Sequence, residues 1–565
     1  MLPPCATRPT ARTPPARSRD GRSGRQSWAA VARRPCRIGL RPLIIAAAAL
    51  VATPGMTSSP ARADAVAVLR DRCAGCHTDG GAEGGLDLDT LLTDFAAGRP
   101  QPTAAAHRSW AAIWHNVRAG TMPPADEPQP TPVERDAVLA FVQRDVFALD
   151  PARPDPGHVV LRRLNRAEYA RTVRDLVGVS FDAVEAFPAD DTGYGFDTIG
   201  AVLSVSPLLM EKYLEAARTI AVSAVAPARA AKRGPDGRLA YPSQTRAVFF
   251  EGPPPDDPAG HEAALRRLFD RLATRAFRRP VDGPTLDAVV RLASDAAERQ
   301  TAEAPASGDD DVREAARRRF EDAVEIGITA LLGGPRFVFR VESPDPDATA
   351  APAGAGVPID EFSLATRLSY FLWGTMPDET LFALASAGTL RANLDAQVDR
   401  MIDDPRADAF VAAFVGQWLQ VRDIETMAFD ARRILGLKDS GAAAKVFSDA
   451  VRRGLRRETE MLFAHVLREG LPATDLLVAP YTFLDGPLAQ FYGLEDLVEG
   501  DGKSMRLVSL PPGSHRGGLL THGSVLAVTS NPTRTSPVKR GLFVLENLLG
   551  TPAPPAPADV PSLGQ

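Results

Sequence analysis

The chain has 565 residues, 44% hydrophobic and 24% charged, a composition that excludes disordered and fibrous classes and a length that exceeds one hydrophobic core. Its 65 basic and 70 acidic side chains leave a net charge of −5, but the first 63 residues hold eleven arginines against Asp20 alone, and the remainder stands at −15. Nucleic acid and anionic membrane surfaces are poor partners for that remainder, and no apolar run in it reaches the roughly 18 residues that argue for a membrane span.

Residues 1–63 read as an export leader. Ten arginines precede an apolar stretch, 43–52, about half the length that crosses a bilayer, and Ala61-x-Ala63 suits signal-peptide cleavage before Asp64. Arg33-Arg34 is a weak twin-arginine match, so ordinary secretion to the periplasm or cell envelope is expected, with envelope association as a further expectation. Cys5 and Cys36 fall in the leader, leaving Cys73 and Cys76 as the cysteines that follow it.

Those two belong to the pentapeptide Cys73-Ala74-Gly75-Cys76-His77. Two thiols one helical turn apart can each add to a vinyl group of one haem, and the adjacent imidazole then serves the iron as proximal ligand. One covalent haem c is expected. The alternatives are a redox dithiol or a Cys73–Cys76 disulfide, but an exported chain of this size with a single pair has no disulfide framework. Upstream, residues 65–72 spell a short amphipathic helix with Val66 and Leu69 on the side of Cys73.

Downstream, a glycine-rich loop over 80–85 precedes a helix in which Trp110, Ile113, Trp114 and Val117 recur at i, i+3, i+4 and i+7 before Gly120 stops it. Met122, within Thr121-Met122-Pro123-Pro124, is the expected distal iron ligand, a thioether on a loop stiffened by two prolines. Methionine is more often a core filler, and His107 and His115 are rival ligands. Thr131-Pro132-Val133-Glu134 then spells a capping box with proline at the first helical position, followed by a stripe of Val138, Phe141, Val142 and Val146 that can pack on the helix carrying Cys73. The order helix, C-x-x-C-H, loop, helix, methionine loop, helix resembles a class I cytochrome c over residues 64–150. That segment carries seven basic and thirteen acidic side chains, which suits weak, salt-sensitive docking to a basic redox protein.

A linker with three prolines, 150–157, leads to a helical module over 158–225, opened by Asn165-Arg166-Ala167-Glu168 as a capping box and stopped at Gly178. Residues 226–342 read as loop-rich, then helical: 247–250 is the one extended-looking run, helices are expected near 261–276, 284–298 and 312–332, and 337–341 alternates as a short strand does. After a linker at 343–358, a module over 358–495 carries helices marked by Leu364, Leu368, Phe371 and Leu372, by Phe410, Phe414 and Trp418 after Asp404-Pro405, and by a long periodic run over 441–469. Residues 505–565 read as loop-rich. The expected fold class is mainly α: a cytochrome c-like helical haem domain followed by several helical domains with little β.

Two constellations outside the haem motif carry chemistry. Asp190, Asp191 and Asp197 stand in a glycine-bearing loop and are candidate Ca²⁺ ligands, against a solvated turn held by carboxylates on backbone amides. His515, Arg516, His522, Arg534, Lys539 and Arg540 form a cationic group that suits an anionic substrate or haem propionates, against a network of loop-closing hydrogen bonds. No nucleophile elbow, dinucleotide fingerprint, P-loop or H-E-x-x-H helix is present, so catalytic residues are not identified.

Four blocks in order make the whole recognisable: Leu164-Asn165-Arg166-Ala167-Glu168-Tyr169, Arg275-Ala276-Phe277-Arg278-Arg279-Pro280, Arg367-Leu368-Ser369-Tyr370-Phe371-Leu372-Trp373, and Arg534-Thr535-Ser536-Pro537-Val538-Lys539-Arg540-Gly541. Their succession over 64–562 resembles the planctomycete-type multi-domain c-type cytochrome proteins, whose trailing helical modules are domains of unknown function. The resemblance implies haem binding and little more. Such proteins usually continue past the proline-rich 552–561 segment into another helical module, so a C-terminally truncated chain is one expectation. Two function classes follow: an exported electron carrier, or an oxidoreductase whose helical modules oxidise an unknown substrate and pass electrons to the haem domain.

Overall fold

The computed structural model describes residues 60–78, 83–97, 103–150, 157, 159–301, 309–348, 356–500 and 502–551. The basic leader with its apolar stretch and the 552–561 segment lie outside the described residues, as do most of the 150–157 linker, the start of the 80–85 loop and the middle of the 343–358 linker. Helices dominate, and two antiparallel ribbons of two strands each are the sheets found among the described residues, so the fold is mainly α. No described helix is long and apolar enough to cross a membrane.

The N-terminal domain is built from α1 (Pro60–Arg72), the one-turn α2 (Ala74–His77), α3 (Leu88–Ala96), α4 (Ala104–Ala119) and α5 (Pro132–Phe141). Local chemistry sets its boundaries. Asp87 caps α3 by accepting from the Thr90 amide, Thr103 caps α4 through the Ala106 amide, and Gly120 ends α4 in the left-handed region with φ 67°. The capping box of α5 forms in full: Thr131 Oγ1 accepts from the Glu134 amide at 3.2 Å, and Glu134 Oε2 accepts from the Thr131 amide at 2.7 Å. α5 packs against α1, with Arg72 and Glu134 3.7 Å apart across them. Their shared core centres on Leu69, Trp110 and Phe141, and Phe95 and Trp110 both meet the Phe141 ring edge to face.

A second core gathers residues from 164 to 338. Its helices are α6 (Arg166–Val177), α7 (Ala183–Ala186), α8 (Pro207–Arg229), α9 (His261–Phe277), α10 (Gly283–Thr301), α11 (Asp309–Gly333) and α12 (Pro335–Val338). The Asn165 capping box and the Gly178 stop form around α6 as its sequence implies. α8 and α10 lie along α11, and Gly327 of α11 lets the buried Phe269 ring approach so closely that an added Cβ would sit 2.1 Å from it. The strand-like 337–341 run divides between α12 and β2 (Phe339–Arg340), which pairs antiparallel with β1 (Arg162–Arg163). Of the two readings open for 247–250, loop or short sheet, the structure shows the loop. Val248 and Phe249 donate their amides back to the Thr245 carbonyl, so the segment turns on itself and buries both side chains from a loop.

α13 (Glu361–Leu372) gives Tyr370 to that second core and Leu368 and Leu372 to a small third one, completed by α14 (Glu379–Ser386) and α15 (Leu394–Asp403). A fourth core follows with α16 (Asp408–Trp418), α17 (Ala431–Ile434), α18 (Ser440–Val446), α19 (Asp449–Arg468) and the ribbon of β3 (Tyr481–Leu484) and β4 (Arg506–Ser509). The single helix expected over 441–469 is two. Phe447 leaves helical geometry at φ −106°, ψ 61° to pack against Phe429 and Phe491, and Ser448 restarts the chain by capping the Val451 amide.

Candidate functional site

The end of α1 delivers the cysteine motif. The Cys73 amide still donates to the Leu69 carbonyl at 3.0 Å, and the Cys73 carbonyl then accepts from the Cys76 and His77 amides, so the five residues close one tight turn. Thr78 Oγ1 donates to the Ala74 carbonyl at 2.7 Å and fixes the exit. Both thiols are free; Cys73 packs against the N-terminal core and Cys76 is exposed. Burial, with Cys76 second, pushes the Cys73 thiol above its ordinary range, the opposite of the lowered thiol that a redox dithiol needs.

His77 Nδ1 and Trp114 Nε1 are sealed from solvent without hydrogen-bond partners, as are Arg72 Nε and Arg135 Nε of the same domain. A buried polar group left unpaired costs about 1–3 kcal/mol, so their coincidence with two free thiols fits a site completed by a large bound group. The donor set suits haem: thiols for covalent attachment, and an imidazole and a thioether for iron.

Met122 lies just past the α4 stop and is 41% exposed. The Thr121 and Met122 amides both point at the Asn116 carbonyl, and Gln129 Nε2 donates to the carbonyls of Pro123, Pro124 and Glu127 at 3.2, 2.7 and 3.0 Å. Gln129, which sequence reasoning missed, ties the 123–127 loop together, alongside the Glu127 amide on the Pro124 carbonyl. His107 and His115 are exposed on α4, His107 against the Phe147 ring at 4.6 Å and His115 beside Trp114 at 5.3 Å.

The aspartates do not assemble into a Ca²⁺ site, and the candidate is corrected. Asp190 pairs with Arg163 at 2.6 Å and accepts from the Arg166 amide, Asp191 meets only Ser204 Oγ at 3.5 Å, and Asp197 pairs with Arg422 at 2.6 Å. Among the described residues no group of three His, Cys, Asp or Glu side chains converges as metal ligands.

The cationic group near the C-terminus separates in part: Arg516 and Arg534 line one cavity of about 280 Å³, and the others do not join them there. His515, Arg534 and Lys539 are exposed. Arg516 lies over the Tyr492 ring at 3.5 Å and donates to the Thr521 carbonyl, while Arg540 donates to Thr529 and Thr535 hydroxyls. His522 is buried, its Nδ1 3.0 Å from Thr459 Oγ1, next to Glu458, which accepts from Thr482 and Tyr492 hydroxyls at 2.7 and 2.6 Å. Burial holds His522 below its ordinary range and, with Glu458, holds Tyr492 well above its own. Arg516, Arg540 and His522 therefore tie loops together.

Comparison with known families gives four matches along the chain. Residues 73–126 match the family described as Planctomycete cytochrome C, and residues 162–226, 359–494 and 516–565 match three families described as proteins of unknown function, DUF1587, DUF1592 and DUF1588 respectively. No curated protein and no solved structure matches the chain.

Proposed function

This chain has the four-module make-up of a planctomycete-type multi-domain cytochrome c, and on that premise we propose that it is an exported one-haem c-type cytochrome that transfers electrons in the periplasm or cell envelope. Cys73 and Cys76 would hold the haem through thioether bonds, and His77 and Met122 would be its axial ligands. When bound, haem supplies a one-electron couple between ferric and ferrous iron. The chain's own residues do the rest. The α1 end presents both thiols on one turn, the Trp110–Phe141 core holds that turn in place, and Gln129 fixes the loop carrying the thioether.

The observation that carries this reading is the turn of free thiols and His77 on a closed helical core, with His77 Nδ1 buried and unpartnered. The arginine-rich leader supports export, and the acidic N-terminal domain suits a basic redox protein as partner, with docking that weakens as salt rises. The test is a haem-dependent peroxidase stain of a denaturing gel, because thioether bonds survive denaturation. Protein matured in a host that attaches haem c should give one band near the mature mass, and Cys73→Ala with Cys76→Ala should abolish it. A normally matured chain with no band refutes the proposal.

A further inference from the structure

A cavity lies far along the chain from the haem motif, between the second core and the helices of the third and fourth. It encloses about 730 Å³, within the range of small-molecule sites. One wall is aromatic. Phe196 stacks on Phe414 with centroids 6.1 Å apart, Phe414 on Phe410 at 5.5 Å, and Phe371, 62% exposed, meets Phe410 at 5.0 Å. A large aromatic exposed beside an aromatic stack is surface that water hydrates poorly and a flat apolar ligand covers well.

The cavity also carries charged side chains, six arginines against four carboxylates. Arg162 pairs with Glu168 at 2.6 Å, Arg367 with Glu342 at 2.6 Å, Arg422 with Asp197 at 2.6 Å and Arg456 with Glu460 at 3.0 Å. Those four pairs account for every carboxylate lining the cavity. Two arginines remain, Arg171 of α6 and Arg340 of β2, and neither forms an ion pair among the described residues. Arg340 lies over the Tyr370 ring at 5.1 Å, with its Nε buried and unpartnered. Arg171 is packed against the backbone of Gly374, whose φ of +62° and lack of a Cβ give the guanidinium room. Burial draws both groups below the ordinary arginine range, Arg340 to about 10, although Glu168 attracts both and Asp175 and Asp197 attract Arg171, so each is a desolvated cation with no carboxylate bonded to it directly. In a chain as acidic as this one, two guanidiniums without a bonded carboxylate in a cavity that also holds an aromatic stack are an arrangement for recognising anions.

We propose that this cleft binds a small organic acid, one or two carboxylates on a flat apolar body, with Arg171 and Arg340 taking the carboxylate and Phe371, Phe410 and Phe414 the body. The site draws its walls from α6, the 196–200 loop after α7, β2, α13, α15, α16 and α19, so it exists only when the second core and the later helices are docked. Ligand binding would accordingly hold these modules together.

The test uses the full-length mature chain and isothermal titration with 2-naphthoate, its neutral counterpart 2-naphthamide, and inorganic phosphate. The acid should bind saturably and at least tenfold more tightly than either the amide or phosphate. Arg171→Gln and Arg340→Gln should each weaken the acid at least tenfold and leave the amide within twofold, and Phe414→Ala should weaken both. Absence of saturable 2-naphthoate binding, equal binding of acid and amide, or arginine variants that bind the acid as the parent does would overturn the proposal. The amide comparison needs no variant, so it decides the matter even where a substitution unfolds the chain, and none of these readouts depends on haem.

Discussion

Arg278 is the position where a single substitution should cost the second core most. It ends α9 in the left-handed region at φ 62° and is 3% exposed. Its Nε donates to Tyr370 Oη at 2.9 Å, Nη1 to the carbonyls of Arg336 and Phe339 at 3.2 and 3.1 Å, and Nη2 to the Phe337 carbonyl at 2.5 Å. One side chain thus satisfies three carbonyls of α12 and β2 and holds α13 through Tyr370. Arg278→Met removes all four bonds and leaves the carbonyls without donors. At about 1–3 kcal/mol per unpaired buried group, offset by no longer burying a guanidinium, the loss should be about 3–5 kcal/mol, a large share of a typical total of about 5–15. Lysine cannot replace a planar fork that reaches four acceptors, so Arg278→Lys should recover less than half of it. Urea unfolding followed by far-ultraviolet circular dichroism reads these differences. Tyr370→Phe combined with Arg278→Met should cost less than the sum of the two by about 1 kcal/mol, because one bond is counted in both. Strict additivity, or an Arg278→Met loss below about 1 kcal/mol, would refute the clamp.

Three further outcomes follow from the geometry. Met122→Ala should abolish the weak far-red sulfur-to-iron band of the ferric protein and lower its reduction potential, while His107→Ala and His115→Ala should leave both unchanged; the reverse pattern, read by absorption spectra, would assign the distal ligand to α4. Gly327→Ala should destabilise by about 1–3 kcal/mol although alanine favours helix, because its Cβ would overlap the buried Phe269 ring, and Phe269→Leu in the same chain should restore part of the loss in a urea titration. His522 is held below its ordinary value by burial, so above about pH 6.5 it is neutral both folded and unfolded, and below that pH only the unfolded chain takes up the proton. Stability should therefore fall on acidification by up to about 1.4 kcal/mol per pH unit more than in His522→Gln; parallel pH profiles for the two proteins would show that the ring is protonated in place.

What could be read from the sequence was local. Thr131 with Glu134, Asn165 with Glu168, and the stops at Gly120 and Gly178 are signals within a few residues of the structure they produce, and each forms as its chemistry dictates. The helix break at Phe447 escaped because an apolar residue on the helical period looks continuous; Phe447 turns out to serve Phe429 and Phe491 instead. The 247–250 run was ambiguous for a related reason, since four apolar residues in a row look the same whether a neighbouring strand or their own turn takes the backbone amides. Arg278 and the Arg171–Arg340 pair are legible only in three dimensions. Arg278 reaches partners 58 to 92 residues away, and nothing in either local pattern marks a guanidinium that will be left without a carboxylate.

The two-residue ribbon of β1 and β2 has a bearing on when the molecule can close. It joins Arg162 to Arg340, so the second core cannot be locked until most of that span has been made, and α11, along which α8 and α10 lie, is itself among the last pieces. The N-terminal core, by contrast, is complete within residues 65–142. In an exported chain that crosses the membrane N-terminus first, the segment up to residue 142 emerges before the span to Arg340 is complete. For that interval a finished small domain precedes a long unfinished one, displaying Cys73 and Cys76 on a formed turn before the larger mass behind it has condensed.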